Sequence, residues 1–317
     1  MKNVRLGIVG LGNIGRFHTG YLLENKVSRC TLAAVSDAFA PSLEAFKGKQ
    51  GVKTYADAGE MIRSGEIDAI VIATPHFLHT SLGIEALKAG LHVMVEKPIS
   101  AHKADAERLI AVAKERPKQV FAGMFQMRVE PRYLKLRNLI RNGDLGEIVR
   151  VNWIITDWFR TEAYYASGGW RATWKGEGGG VLLNQCLHQL DMLQWLCGMP
   201  ARVRGFCQLG RFHNIEVEDN ITAYLEWATG AAGARLRPPL RGAASSSTWR
   251  RQECTCSKSS TRHVQRRNTK PSLLVPTSSS RRKPVALSVT ATSLCCNRPR
   301  NSEAARIRFR PCRDRTT

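Results

Sequence analysis

No run of about 20 apolar residues occurs in the 317-residue chain, which excludes a transmembrane helix. The first residues lack the charged and apolar segments of a signal peptide and enter a predicted strand within a few positions, so a cytoplasmic location is expected. Paired cysteine spacings are missing too. Nine cysteines are scattered along the chain, as free thiols in a reducing compartment would be. Before residue 234 no His, Cys and Asp cluster has metal-ligand spacing, and no metal is expected. Cys254-x-Cys256 and Cys295-Cys296 lack a second pair to complete a site.

Acidic and aromatic residues are scarce at one end only. After residue 234 there are 20 Lys and Arg against 3 Asp and Glu, and Trp249 and Phe309 are the only aromatics. The formal net charge of +22 therefore belongs mostly to this stretch, which is rich in Arg, Ser and Thr and has little periodicity. Such a composition does not bury enough apolar surface to offset chain entropy. The chain divides into residues 1–121, a nucleotide-binding domain; 122–233, a substrate domain; and 234–317, a basic tail expected to be disordered or out of frame. The abrupt change within residues 228–234 is what an out-of-frame reading of a GC-rich gene produces. The rival reading is a basic arm for nucleic acid or an acidic partner. The near absence of aromatics for stacking bases speaks against nucleic acid.

What is present in the first segment is order. Apolar runs alternate with helical patterns, the mark of an α/β doubly wound parallel sheet. A predicted strand over residues 6–9 runs into Gly10-Leu11-Gly12-Asn13-Ile14-Gly15. In this G-x-G-x-x-G spacing Gly10 allows the tight turn, Gly12 lets backbone approach a pyrophosphate, and Gly15 lets the next helix pack on the strand. The helix start at Asn13 and Ile14 then offers free N–H groups to phosphate. A second strand, 31–35, ends at Asp37, about 20 residues past the glycines, where a ribose hydroxyl is held. Asp37 would repel a 2′-phosphate, and NAD is favoured over NADP. Capping of the following turn is the plain structural alternative for Asp37. A strand over 68–73 ends in Thr74-Pro75-His76, and one over 92–95 leads to Glu96-Lys97-Pro98. Ligands of open α/β sheets bind beyond such strand ends. Ser100 is expected to cap a helix over 101–116.

The second segment reads as α+β: a helix over 131–142, a strand over 148–156, a helix over 179–196 and strands over 202–209 and 221–227. Few helices separate the strands, so a largely antiparallel sheet is expected. On a helix, Asn184, His188 and Asp191 stand at i, i+4 and i+7 and share one face, with Leu182, Leu190 and Leu193 on the other. A histidine between an amide and a carboxylate can be held in one tautomer and act as a general base. A structural histidine tied to Asp191 is the alternative. Lys97, held at a strand end, can donate to a substrate hydroxyl and favour the developing alkoxide; an ordinary surface lysine is the alternative. Asp157-Trp158-Phe159-Arg160 and Gly169-Trp170-Arg171 suit a polyhydroxylated ligand, and equally a protein interface.

Taken together, these residues resemble the Gfo/Idh/MocA family (glucose–fructose oxidoreductase, inositol dehydrogenase). The motifs are Gly10-x-Gly12-x-x-Gly15, Ala73-Thr74-Pro75-x-x-x-His79, Glu96-Lys97-Pro98, Gly123-x-x-x-x-Arg128-x-x-Pro131, and Gly178-Gly-Gly followed by His188-x-x-Asp191. The resemblance covers about residues 1–233. It implies an N-terminal Rossmann domain and a second domain on an open antiparallel sheet, here incomplete. It also implies hydride transfer between NAD(P) and a sugar, inositol or related polyol, with Lys97 and His188 acting on the reacting hydroxyl. By position, Gly10, Gly12, Asn13, Ile14, Gly15, Asp37, Thr74, Pro75, His79, Glu96 and Lys97 would hold the cofactor. Arg128, Arg160, Trp170, Arg171, Asn184 and Asp191 would meet the substrate. Many family members carry Asp at the position of Asn184, and Asn cannot accept a proton. Members often assemble through the C-terminal sheet, and such homo-oligomers are doubtful for a chain whose sheet is incomplete. Two variants of the reading stay open: a catalytically impaired nucleotide-binding protein, and a relative that uses transient oxidation by NAD to cleave glycosidic bonds.

Overall fold

The computed structural model describes residues 3–155, 160–233, 285–291 and 305–311, the last two as strand pairings only. The first half is strands β1 (Val4–Val9), β2 (Cys30–Ser36), β3 (Lys53–Tyr55), β4 (Ala69–Ile72), β5 (His92–Val95) and β6 (Phe121–Gly123). Between them run α1 (Asn13–Leu23), α2 (Pro41–Glu44), α3 (Ala58–Arg63), α4 (His79–Lys88) and α5 (Lys103–Lys114). The strands form one parallel sheet in the order β3-β2-β1-β4-β5-β6. Strand order reverses between β1 and β4, and a crevice opens there beyond the strand ends. β6 belongs to this sheet and carries the boundary expected between residues 121 and 122.

The near-continuous apolar strands follow from burial on both faces. Ile8, Leu22, Leu32, Val35, Phe46 and Val71 pack on one side. Val9, Ile70, Ile72, Leu87, Val93, Val95 and Leu109 pack on the other. Leu109 of α5 is fully buried and lies over Gly83 of α4, where an added Cβ would come within 2.9 Å of its Cδ1. Leu109→Ala should therefore cost about 3 kcal/mol of stability, read by chemical unfolding followed by circular dichroism; a cost below about 1 kcal/mol would show that the α4–α5 contact is not core. Asp57 caps α3 by accepting the Glu60 N–H at 2.8 Å. Ser100 does not cap α5. Its hydroxyl accepts from Thr80 at 3.0 Å, and the helix begins later, at Lys103.

The second half holds α6 (Pro131–Arg141), β7 (Ile148–Ile155), α7 (Glu162–Ala166), α8 (Leu187–Cys197), β8 (Arg202–Leu209), β9 (Glu218–Glu226) and β10 (Ala232–Gly233). Tyr133, Leu136, Met192 and Leu196 join α6 to α8, and Val151, Leu193, Trp227 and Ala231 join α8 to the sheet. Within the basic tail, β11 (Val285–Ala291) and β12 (Ala305–Pro311) add to this sheet; the rest of the tail lies outside the described residues. The order is β12-β11-β7-β10-β9-β8. β8, β9 and β10 pair antiparallel, as do β11 and β12, but β7 is parallel to both neighbours. The sheet is thus mixed rather than largely antiparallel. The long crossover from β7 through α7 and α8 permits the parallel pairing with β10. Among the described residues no helix is long and apolar enough to cross a membrane.

Candidate active site

The main-chain ladder of the parallel sheet extends one residue past the strands and sets the motifs at one level. Gly10 donates to Ser36 O at 2.8 Å, Ala73 to Val9 O at 2.8 Å, Glu96 to Ile72 O at 2.9 Å and Met124 to Val95 O at 2.8 Å. Gly10 turns at φ +88°, and a Cβ there would strike Ala73 O. A Cβ on Gly15 would lie 1.8 Å from Gly10 O, so only glycine lets α1 start this close to β1. At Gly12 an added Cβ meets nothing within 4 Å. That is the open space a pyrophosphate needs, in front of the unpaired first N–H groups of α1 at Asn13, Ile14 and Gly15. The Asp37 carboxylate lies over this turn: Oδ2 accepts the Leu11 N–H at 2.6 Å and Oδ1 the Phe39 N–H at 2.8 Å. Asp37 thus caps its own turn, the structural alternative, and also braces the glycine turn. The chemistry present fits a dinucleotide.

Lys97 ends β5, joined to Pro98 by a cis peptide bond. Its Nζ donates to the Asn184 carbonyl at 2.9 Å and to Asn184 Oδ1 at 2.8 Å. An ammonium has three N–H donors, so one remains for a ligand. Burial lowers the Lys97 pKa below its ordinary value; Glu96 and Glu177 oppose this, and Arg160 and Arg171 add to it. Glu96 is itself buried. Its Oε1 is 2.7 Å from His18 Nε2 on α1, and Oε2 accepts the Lys97 N–H at 3.2 Å. His79 is fully buried, with Nδ1 2.7 Å from Pro98 O and Nε2 2.9 Å from Thr74 O. Its ring lies between the Thr74-Pro75 loop and the lysine loop, with a carbonyl oxygen at each nitrogen; burial lowers its pKa, and a neutral ring donates to one of the two.

The helix behind His188 is shorter than its sequence pattern. It starts at Leu187, and Asn184 precedes it in a turn. Glu218 of β9 ties this turn down: it accepts the Gly180 and Leu182 N–H groups on its carboxylate, at 3.0 and 3.1 Å, and the Val181 N–H on its carbonyl. The Asn184 carbonyl accepts from Lys97. Asp191 does not hold His188. Its carboxylate grips Arg128, Nε at 2.8 Å and the terminal nitrogen at 2.5 Å, so these two residues are spent on each other. Leu190 is exposed, while Met192, Leu193 and Leu196 form the buried face. His188 Nδ1 is buried with no hydrogen-bond partner, and its ring meets the edge of Phe125 at 6.0 Å. Burial and the charge of Lys97 lower its pKa.

Arg160, Trp170 and Arg171 gather around Tyr164 of α7. The Arg160 and Arg171 guanidiniums lie 4.3 and 4.5 Å from its ring centre, and Arg171 also donates to its hydroxyl at 2.8 Å and stacks on Trp170. Trp170 meets His76 edge-on at 5.5 Å, which brings this cluster to the end of β4. Burial pushes the His76 pKa down to about 4. Asp157, Trp158 and Phe159 lie outside the described residues. Sequence reasoning missed Glu177, buried beside Asn184, and Tyr164. A single acid between Gly176 and Gly178 was the signal for the first; nothing local marks the second.

A glycine turn at the end of β1, followed along the same strand ends by a lysine bonded to Asn184 of the second domain, has counterparts among known proteins. Residues 4–124 match the NAD-binding Rossmann fold of an oxidoreductase family, and residues 133–234 match its C-terminal domain. The chain belongs to the Gfo/Idh/MocA oxidoreductase family. It is 33% identical over 205 residues to the rhizopine catabolism protein MocA of Rhizobium meliloti, covering 64% of this chain and 61% of that one. It is 31% identical over 198 residues to a myo-inositol 2-dehydrogenase of Thermotoga maritima, covering 62% of this chain and 55% of that one. The chain thus spans less than two thirds of these relatives. Among solved structures it resembles the WlbA dehydrogenase of Bordetella pertussis in complex with NADH and UDP-GlcNAcA, at 30% identity and a TM-score of 0.67 over 73% of this chain and 71% of that one. It also resembles scyllo-inositol dehydrogenase of Lactobacillus casei with bound NAD(H) and scyllo-inositol, at 26% identity and a TM-score of 0.63 over 73% and 68%. This Gfo/Idh/MocA chain therefore carries an NAD-binding Rossmann domain.

Proposed function

We propose that the chain oxidises a hydroxyl of a sugar, inositol or related polyol, using Lys97 and His188. One observation carries this reading: Lys97, at the end of β5 beside the nucleotide crevice, bonds across to the segment that leads into the helix of His188. NAD, when bound over Gly10–Gly15 and Asp37, supplies the hydride acceptor. The free N–H of Lys97 donates to the substrate hydroxyl oxygen and stabilises negative charge there. The His188 imidazole, neutral because it is buried, takes the hydroxyl proton. Arg160, Trp170 and Arg171, stacked around Tyr164, form a donor-rich aromatic wall suited to a polyhydroxylated ring. Asp37 holds the ribose through the lone pairs its two main-chain bonds leave. A cytoplasmic location agrees with Cys30, Cys197 and Cys207, which form no disulfide among the described residues.

The test is NADH formation by the full chain across a panel of inositols, hexoses and nucleotide sugars. Formation with at least one supports the reading; no NADH with any member counts against it. Asp37→Arg should weaken NAD binding about tenfold and narrow the gap to NADP, about 1.4 kcal/mol by calorimetry; an unchanged preference removes Asp37 from the ribose site. The pH profile of kcat/KM has a predicted shape. His188 must be neutral, and its pKa is lowered, so the acid limb falls below the ordinary histidine value of 6.5. Lys97 must be protonated, and its pKa is lowered too, so the alkaline limb falls below the ordinary lysine value of 10.5. An acid limb above 6.5 would contradict a neutral, buried His188.

A further inference from the structure

Glu177 is 2% exposed and stands behind Asn184, away from any surface. Its Oε2 accepts the Ala172 N–H at 2.6 Å, and its Oε1 accepts from Asn184 Nδ2. Its main-chain carbonyl lies 2.9 Å from His76 Nδ1, which fixes the segment against the end of β4. Asn184 Oδ1 faces the other way and accepts from Lys97 Nζ. The amide therefore stands between an ammonium and a carboxylate. This orientation is the only one that satisfies both: turned over, its NH2 would face the ammonium and its oxygen the carboxylate.

The charge pattern gives the arrangement a purpose. The groups that bear on Lys97 are Glu96 next to it, Glu177 behind Asn184, His79 and His76 at the end of β4, His188 on α8, and Arg160 and Arg171 from the wall beside Trp170. Burial and the two arginines favour the neutral amine. Glu96 is already engaged by His18. Glu96 and Glu177 both oppose the neutral amine, Glu96 the more strongly; Glu177 is the one that reaches Lys97 through the Asn184 amide, without drawing the lysine into a salt bridge that would use up its third N–H.

We propose that Glu177 is a positioning residue that, through the Asn184 amide, keeps Lys97 an ammonium aimed at the reacting hydroxyl. The purpose rests on the dehydrogenase reading above; the coupling of charge does not, and it can be measured without turnover. The full chain, free of substrate, is acetylated briefly with acetic anhydride across a pH series, and the Lys97 peptide is quantified by mass spectrometry against the exposed Lys103. In Glu177→Gln the midpoint of Lys97 reactivity should fall by about one pH unit, exposing about tenfold more free amine below that midpoint, while Lys103 stays unchanged. Asn184→Ala, which removes the bridge and keeps the acid, should also lower the midpoint. An unchanged Lys97 midpoint in Glu177→Gln overturns the proposal. Should that variant not fold, an unchanged midpoint in Asn184→Ala does so. With an oxidised substrate in hand, the alkaline limb of kcat/KM should move with the labelling midpoint; a uniform loss of kcat without that movement means a purely structural Glu177 and overturns the proposal. A midpoint shift in Glu177→Gln, where the wild-type chain oxidises no polyol, supports the coupling and counts against the dehydrogenase reading alone.

Discussion

Lys97→Ala lowers turnover about a thousandfold and leaves NAD affinity within about twofold. The size follows from the lysine's position. Its Nζ is held by two oxygens of Asn184, which leaves one donor that, in the proposed mechanism, meets the substrate hydroxyl oxygen. A donor preorganised in a water-poor site is worth about 3 to 4 kcal/mol in the transition state. The methyl of alanine supplies none of it. In the proposed site the glycine turn and Asp37 would hold the dinucleotide, so the loss should fall on kcat and not on NAD binding. Steady-state kinetics with a saturating polyol, beside calorimetry with NAD, measures both. Turnover within about tenfold of the wild type would remove Lys97 from the mechanism.

Gly15→Ala should abolish useful cofactor binding, weakening Kd at least about a hundredfold, or about 2.7 kcal/mol. The added Cβ would sit 1.8 Å from Gly10 O, and both positions are main chain. No side-chain rotation relieves such a clash, so α1 must retreat from β1 and carry its phosphate-facing N–H groups with it. A drop in Tm should accompany the loss. Gly12→Ala is the informative partner. Its Cβ meets nothing within 4 Å, so the fold should keep its stability while the pyrophosphate's space is partly filled. Equal Tm losses in both variants would mean that Gly12 is a structural residue like Gly15. Normal NAD binding by Gly15→Ala would contradict the placement of the phosphate at this turn.

Much of the first domain is legible in its sequence because its determinants are local. Strand runs, glycine spacing and turn residues lie within a few positions of one another, and the sheet order follows from the alternation. The second domain's site depends on residues far apart in the chain. The helix of His188 begins at Leu187, and the turn before it is tied to β9 by Glu218, which accepts the N–H groups of Gly180 and Leu182. Periodicity read from residues 179–196 alone cannot register that partner on β9. Asp191 shares a helical face with His188, which is visible in the sequence; its choice of Arg128, 63 residues earlier, is not. The pairing of β7 with parallel neighbours is likewise set by a crossover, not by any local pattern. Lys97 and His188 were legible as separate residues, and Asn184 as a neighbour of the histidine. Of the amide's actual partners, Glu177 appears only once the turn before the helix has folded, and Lys97 only once the two domains are in contact.

The most direct measurement is the fate of the carbon-bound hydrogen. The full chain is incubated with NAD and polyols deuterated at their carbinol carbons, and the NADH is analysed by mass spectrometry. A hydride-transfer site formed by Lys97 and His188 predicts NADH carrying one deuterium with at least one polyol, at a rate that Lys97→Ala lowers about a thousandfold. Unlabelled NADH, or none from a chain that binds NAD, would contradict it.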